Sequence, residues 1–310
     1  MISVVIPVYN GEAFLREAVA SALQQPEVSA VILTEDGSTD GSGALCASLA
    51  RESRRVFVLH HPGGQNRGPA ASRNLGIGAA TTEFVAFLDA DDLYLPGRFR
   101  KTLPILAANA QVDGVYEAVE ERGARLDVSG LITLIGHVAA EDLLQTLAVG
   151  HRGSVHLNGI TVRRSIFDRA GMFPEGLPEA QDTVWIVKAA ATARFQAGEI
   201  ARPVAILRVH DTNRVTRRPD DRRRAMDRSR QRNRVLLDWA TRSLGAEAAA
   251  LLRVFAARRM AEARTVDIRN RRARSALKRL WMIWYARSTP SLWRHPAFRA
   301  AMLPRPPVAA

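Results

Sequence analysis

The sequence predicts an α/β protein in which a mostly parallel sheet is flanked by helices and followed by a basic helical extension. Three observations carry this. Short apolar runs alternate with stretches of helical period through the first hundred residues. Each run breaks at a loop rich in glycine or carboxylates, and beyond residue 217 the composition shifts to Ala, Leu and Arg. Strands alternating with helices of about 10 to 15 residues on short links indicate parallel pairing with helices on both faces.

In order, Ile2 to Ile6 is the first strand, which Pro7 is expected to end because proline cannot donate to a ladder. Asn10 and Gly11 turn the chain into a helix with Phe14, Ala18 and Ala22 at helical spacing. Val28 to Thr34 is the second strand. The segment Glu35 to Asp40 then offers a glycine for a turn and several N-cap candidates for the helix through Leu45 and Leu49. Val56 to Leu59 is the third strand, and the glycine-rich loop Gly63 to Gly68 leads into a helix with Pro69 in its first turn and Arg73 and Asn74 inside. Gly76 and Gly78 lack the preceding strand of a dinucleotide fingerprint and are read as helix-end punctuation. Phe84 to Leu88 is the fourth strand, ending on Asp89, Asp91 and Asp92.

The 310 residues, 47% hydrophobic, suffice for one large or two ordinary domains. A single cysteine, Cys46, excludes an internal disulfide framework and fits a reducing compartment, with cytoplasm as the expectation. The N-terminus reads as a strand and not as a signal peptide, and no window approaches the roughly 18 uninterrupted apolar residues of a membrane span. The net charge of +13 is unevenly placed: residues 1–216 carry 20 Lys+Arg against 24 Asp+Glu, a net of −4, and residues 217–310 carry 24 against 7, a net of +17. An anionic partner is therefore expected for the second segment only.

Four loops fall at strand carboxyl ends: 8–12, 35–40, 63–68 and 89–92. That edge is where ligands bind in open α/β sheets. Three carboxylates within four residues repel one another unless a cation or donors neutralise them, and Mg²⁺ is typically held by one or two carboxylates plus substrate phosphates, which points to a nucleotide. The same pattern also suits a solvated strand-to-helix turn with acidic capping residues ahead of Leu93.

Taken together, P-V-Y-N at Pro7 to Asn10 with Glu12, E-D-G-S-T-D at Glu35 to Asp40, N-R-G-P-A-A-S-R-N-L-G at Asn66 to Gly76 and F-L-D-A-D-D from Phe87 resemble the family 2 glycosyltransferases in order and interval. The resemblance covers about the first 215 residues. It implies a GT-A fold, with residues 1–110 as the nucleotide-sugar-binding half, 111–216 as the acceptor-binding half and 217–310 as the extension. It further implies inverting transfer from a nucleoside diphosphate sugar, UDP-type in the first instance, to a saccharide or lipid-linked acceptor in surface polysaccharide or glycolipid synthesis. Mn²⁺ or Mg²⁺ is the implied cofactor.

By the same resemblance Pro7, Val8 and Tyr9 pack on the base, Asp36 accepts from its imide edge, and Glu12, Asn66, Arg73, Asp89 and Ala90 line the donor. Asp91 and His210 hold the metal. Glu35 stands where the family has Asp. Gly171 to Trp185 resembles the segment carrying the base, which falls on Asp182, with Glu179 as alternative; Gln181 and Val184 replace neighbouring acids. Asp182 also suits an N-cap of a helix Thr183 to Ala193.

In the extension, Leu277, Leu280, Trp281, Trp284 and Tyr285 recur at helical spacing among Lys278, Arg279 and Arg287. Such a face lies in an anionic membrane interface or packs on the body of the protein; nucleic acid is the less favoured polyanion. Residues from Pro304 read as a disordered end. Two other functions fit parts of the pattern. A nucleotidyltransferase making nucleotide sugars would carry a glycine-rich basic signature after its first strand, which P-V-Y-N-G-E lacks. A decayed transferase binding anionic lipid or nucleic acid is compatible with Glu35, Gln181 and Val184.

Overall fold

The computed structural model describes residues 1–123, 130–210, 222–268, 270–287 and 291–303, the side chains of 271 and 291 excepted. The expected junction at 217 and the end from Pro304 lie outside the described residues. The chain forms two compact units, 1–140 with 155–213, and 141–154 with 214–310.

The first unit opens with β1 (Ile2–Val8), α1 (Glu12–Leu23), β2 (Val28–Glu35), α2 (Ser42–Glu52), β3 (Val56–His60), α3 (Gly68–Ala79) and β4 (Phe84–Phe87). It continues through β5 (Leu93–Tyr94), α4 (Thr102–Ala108), β6 (Gly114–Tyr116), β7 (Val119–Gly123) and β8 (Gly130–Ile132). After α5 (Leu143–Val149), which belongs to the other unit, come β9 (Ile160–Arg163), α6 (Ile166–Ala170), α7 (Gln181–Thr192), β10 (Phe195–Ala197) and β11 (Ala205–Val209). The large sheet has the order β10-β6-β9-β4-β1-β2-β3, and a smaller one the order β5-β11-β7-β8. β1, β2, β3 and β4 pair in parallel, whereas β9 runs antiparallel to both β4 and β6.

The central strands are apolar on both faces because both are covered. Ile2, Val4, Ile6 and Val8 of β1 join Val31, Leu33 and Ala86 in one buried core. Ser3, Val5 and Thr34 are also buried. Pro7 does not end the strand, which continues to Val8 with Pro7 opposite Thr34. Its missing N–H falls on the side facing β4, whose pairing with β1 stops at Val5, so no ladder bond is lost.

Gly76 is likewise no helix end. It lies inside α3, where an added Cβ would sit 2.6 Å from Val5 Cγ1 and 3.3 Å from Thr34 Oγ1. It lets α3 approach β1 and β2. Gly76→Ala is expected to destabilise the fold by about 1–3 kcal/mol through overpacking, read as a lower urea midpoint, whereas Gly78→Ala, with open space around it, should be neutral or stabilising.

The second unit consists of α5, α8 (Arg222–Ser243), α9 (Ala246–Arg264), α10 (Arg271–Arg287), α11 (Ser291–Arg294) and α12 (Pro296–Met302). α9 lies among the others, burying Leu252, Phe255, Ala256, Ala257 and Ala261. Asn233 of α8 donates to Ala256 O at 3.0 Å, and Arg258 of α9 donates to Ala148 O and Leu147 O at the end of α5. α10 turns Met282 and Ala286 inward and leaves Leu280 60% and Trp284 57% exposed, while the Arg264 guanidinium stacks 3.8 Å above the Trp281 ring. Of the foreseen face, Leu277, Leu280 and Trp284 are exposed and Trp281 and Tyr285 half-buried, while the inward residues Met282 and Ala286 lie outside it.

Candidate active site

The site is assembled where β1, β2 and β4 end. The loop after β1 is clasped to the loop after β2: Asn10 Oδ1 accepts from Thr39 N at 2.8 Å, and Glu12 Oε2 from Gly41 N at 2.9 Å. Gly11 N donates to Ser42 Oγ at 2.9 Å. Neither α1 nor α2 has a side-chain bond from its own N-cap residue; the capping expected within 35–40 comes from Asp40, which accepts from Ser42 N and Glu12 N. Val8 is buried and Tyr9 is 43% exposed at the mouth of this clasp.

Glu35 and Asp36 are both held by loop amides. Glu35 accepts from Gly37 N at 3.2 Å and Ser38 N at 2.6 Å. Although burial raises its pKa, bonds from Ser38 and Gly37 and the nearby His60 more than offset this, and the net direction is downward. Gly37 has φ +68°, and a Cβ there would meet Gly64 O at 2.6 Å, so only glycine fits. Asp36 accepts from Arg67 N at 2.7 Å and Gly68 N at 2.9 Å, which fixes the glycine-rich loop at the start of α3, with His61 Nε2 at 3.4 Å. Asn66 is exposed in that loop.

Arg73, 5% exposed, pairs with Asp89 at 2.5 Å and sits over the Phe173 ring at 5.7 Å. Nε and Nη1 of the same guanidinium have no hydrogen-bond partner. After β4, Asp92 N donates to Asp89 O at 3.0 Å and closes a turn, and Leu93–Tyr94 then forms β5 against β11. The acids therefore do not cap a helix ahead of Leu93.

Asp91 and His210 meet, with Nε2 3.2 Å from Oδ2. Burial and then the Asp89 charge push the Asp91 carboxyl upward, against the bond from His210. Asp92 is fully buried and is pushed further up by burial and by both neighbouring aspartates. It accepts from Asn158 Nδ2 at 2.6 Å and from Arg208 N at 2.8 Å. Asn158 Oδ1 in turn accepts from Asp89 N at 3.3 Å, so one asparagine spans the acidic turn. Arg208 also bonds Asp91 O, tying β11, and with it His210, to the turn.

The acids fit a hard divalent ion in a particular way. Among the described residues no group of three or more His, Cys, Asp or Glu side chains is placed to hold a metal ion by itself. Asp91 with His210 could supply two ligands, a number that suits a site where substrate phosphates provide the rest.

Asp182 lies in the first turn of α7, half-buried, and Oδ1 accepts from Thr183 N at 2.7 Å. The N-cap position is Ala180, at φ +64°, so Asp182 is not the cap. Trp185, one turn on, is buried, stacks on Phe173 at 4.8 Å, meets Phe87 of β4 edge-on at 5.7 Å and donates from Nε1 to Gly171 O. This aromatic cluster anchors the start of α7 beside the strand that leads to Asp89. Asn74 completes the link, donating to Phe173 O and accepting from Phe173 N, both at 2.9 Å. Asn158, His61 and Arg208 carried no signal in the sequence as site residues; Asn74 and Trp185 lay inside the resembling segments without an assigned role.

Residues 3–132 match the family model described as Glycosyl transferase family 2. The chain is 29% identical over 259 residues to the succinoglycan biosynthesis protein ExoU of Rhizobium meliloti, covering 80% of this chain and 72% of that one. It is 36% identical over 110 residues to an uncharacterized glycosyltransferase of Haemophilus influenzae, covering 35% and 43% of the two chains. That alignment and one with an uncharacterized glycosyltransferase of Rickettsia bellii, of which 30% is covered, span less than half of those relatives. Among solved structures, S. aureus TarS in complex with UDP-GlcNAc shares the fold at TM-score 0.58 and 17% identity over 94% of this chain and 91% of that one. The mannosyltransferase PcManGT of Pyrobaculum calidifontis, in complex with GDP-Man and Mn²⁺, does so at 0.57 and 17% over 97% and 82%. Its four motifs gather at one sheet edge, residues 3–132 match the glycosyl transferase family 2 model, and the chain has the GT-A fold shared with these solved structures.

Proposed function

We propose that the protein is a metal-dependent inverting glycosyltransferase that moves a sugar from a UDP-type donor to a glycan or lipid-linked acceptor in surface polysaccharide or glycolipid synthesis. The observation that carries this reading is the meeting of Asp91 and His210 at 3.2 Å beside Asp89, at the end of β4. Asp91 and His210 would hold Mn²⁺ or Mg²⁺ together with the donor diphosphate. When bound, such an ion neutralises charge growing on the leaving diphosphate as the glycosidic bond breaks.

The chain's own groups do the rest. Pro7, Val8 and Tyr9 support the base, and Asp36, which can accept at about four positions, keeps capacity for an imide N–H beyond its two loop amides. Glu12 and Asn66 shape the donor loops, Ala90 borders them, and Arg73 orients Asp89 toward the ribose. Asp182 takes the proton from the acceptor hydroxyl on the face opposite the leaving group; Glu179 is the alternative base. TarS supports the UDP reading through its own UDP-GlcNAc complex, and ExoU supports polysaccharide synthesis through its name.

The cytoplasm, and the inner face of the membrane, is the proposed location. Among the described residues no helix is long and apolar enough to cross a membrane. Exposed Leu280 and Trp284 beside Arg279 and Arg287 support contact with an anionic bilayer surface.

A melting-temperature screen of UDP-, GDP- and ADP-sugars with and without Mn²⁺ tests the reading. A ligand at 100 times its Kd adds about 2.7 kcal/mol. A rise confined to UDP donors with Mn²⁺ is the expected result; a rise with GDP donors alone overturns the base assignment, and no rise with any donor overturns the donor-binding reading.

A further inference from the structure

The second unit contains a cavity of ≈370 Å³ between the end of α5, α9, α10 and α12. Its polar wall carries Arg258, Arg274, Lys278 and Arg279 against a single carboxylate, Glu262, an excess of three positive charges. Glu262 is shared: Arg258 reaches it at 2.7 Å, Arg259 at 2.9 Å and Lys278 at 3.2 Å. Burial raises its pKa, but the three cations outweigh that and hold the carboxyl far below its ordinary range, so it stays ionised. The lining therefore carries more cations than carboxylates.

Arg258 bonds Ala148 O, Leu147 O and Glu262, Arg274 bonds Val266 O, and the exposed Arg279 reaches Ser275 Oγ at 3.4 Å, so the cations are held in place by the fold. Arg274 and Lys278 are four residues apart on one helix, where like charges repel, and Ser275 and Arg279 occupy the adjacent positions. Arginine forks beside an ammonium suit a tetrahedral dianion, because guanidinium bonds phosphate oxygens in pairs and a concave wall focuses the field. An apolar part of the wall is formed by Val149, Met282, Ala301, Met302 and Leu303, with His151 beside Val149 and Gly150. A cavity of this size falls in the range of small-ligand sites, about 300–1,000 Å³.

We infer that this cavity is a binding site for a phosphate group carried on an apolar chain, with the phosphate against Arg274, Lys278 and Arg279 and the chain along Met282, Met302 and Leu303. The site lies wholly within the second unit and stands whether or not the proposed donor chemistry holds. It is distinct from the exposed face of Leu280 and Trp284, since those residues do not line it. Inorganic phosphate shares the headgroup chemistry, and the test separates the two sources.

The full-length protein is titrated calorimetrically with dihexanoyl phosphatidic acid below its micelle concentration, with dihexanoyl phosphatidylcholine and with inorganic phosphate. Saturable one-to-one binding of phosphatidic acid, at least tenfold tighter than of phosphatidylcholine, is expected. The double variant Lys278→Met, Arg279→Gln should weaken it tenfold or more, while Leu280→Ser leaves it within twofold. Glu262→Gln removes the competing carboxylate and should tighten it, with circular dichroism checking that this variant folds. Phosphate binding as tightly as phosphatidic acid overturns the apolar-chain part and assigns the site to free phosphate. Absence of saturable binding by either anion, equal affinity in the double variant, or a loss in Leu280→Ser as large as in the double variant overturns the site. Donor-induced melting shifts at the first unit, measured in parallel, report separately on the transferase reading.

Discussion

Asp182→Asn is expected to lower the transfer rate by roughly 10²–10⁴-fold, the usual contribution of a positioned general base, and to leave donor affinity within a few-fold. The separation follows from where the residue sits. Asp182 Oδ1 accepts from Thr183 N at 2.7 Å, and an asparagine keeps an oxygen for that bond, so the first turn of α7 survives. Its anchor is Trp185, held by Phe173, Phe87 and Gly171 O, none of which the substitution touches. What asparagine cannot do is accept the proton of the acceptor hydroxyl. Donor affinity is read by calorimetry and transfer by release of the nucleoside diphosphate with acceptor present. Glu179→Gln should cost less. A near-wild-type rate in Asp182→Asn moves the base to another residue.

Asp91→Asn should remove most of the metal dependence of donor binding, weakening affinity in Mn²⁺ by roughly 100-fold or more, above the 10–100-fold typical of losing a group behind the ligands. The same substitution should not lower the melting temperature without ligand. In the fold, burial and Asp89 push the Asp91 carboxyl upward, which means that its ionised form is disfavoured there and a neutral isostere relieves the repulsion. Opposite effects on ligand affinity and on ligand-free stability mark a functional charge. Titration of donor into wild type in EDTA provides the check: affinity equal to that in Mn²⁺ would remove Asp91 and His210 from metal binding.

The order of strands and helices to Leu88 could be read from the chain because each is a local pattern. Apolar runs such as Val28 to Thr34 are too short for helices, and the loops between them carry glycine and acids at strand ends. The acidic turn was equally plain: Asp89, Asp91 and Asp92 adjoin in sequence, so no long-range contact is needed to gather them. His210 was reached only through family resemblance, since its partner Asp91 lies 119 residues away.

What the sequence by itself determined is the repeating α/β half, the loops that share its strand ends, the acidic turn and the charge division of the chain, all consequences of period, turn chemistry and composition over short windows. Tertiary structure alone decided the antiparallel insertion of β9 between β4 and β6, which brings Asn158 to Asp89 and Asp92 across 69 and 66 residues. It also decided that 141–154 joins the helical unit, through Arg258 bonds to carbonyls 110 and 111 residues away. Only packing showed that Gly76 is a point of close approach and that Pro7 lies where β4 no longer pairs. The physical reason is common to these cases: a buried amide, carbonyl or carboxylate must find a partner, and which distant group supplies it depends on how the elements stack, which no local pattern encodes.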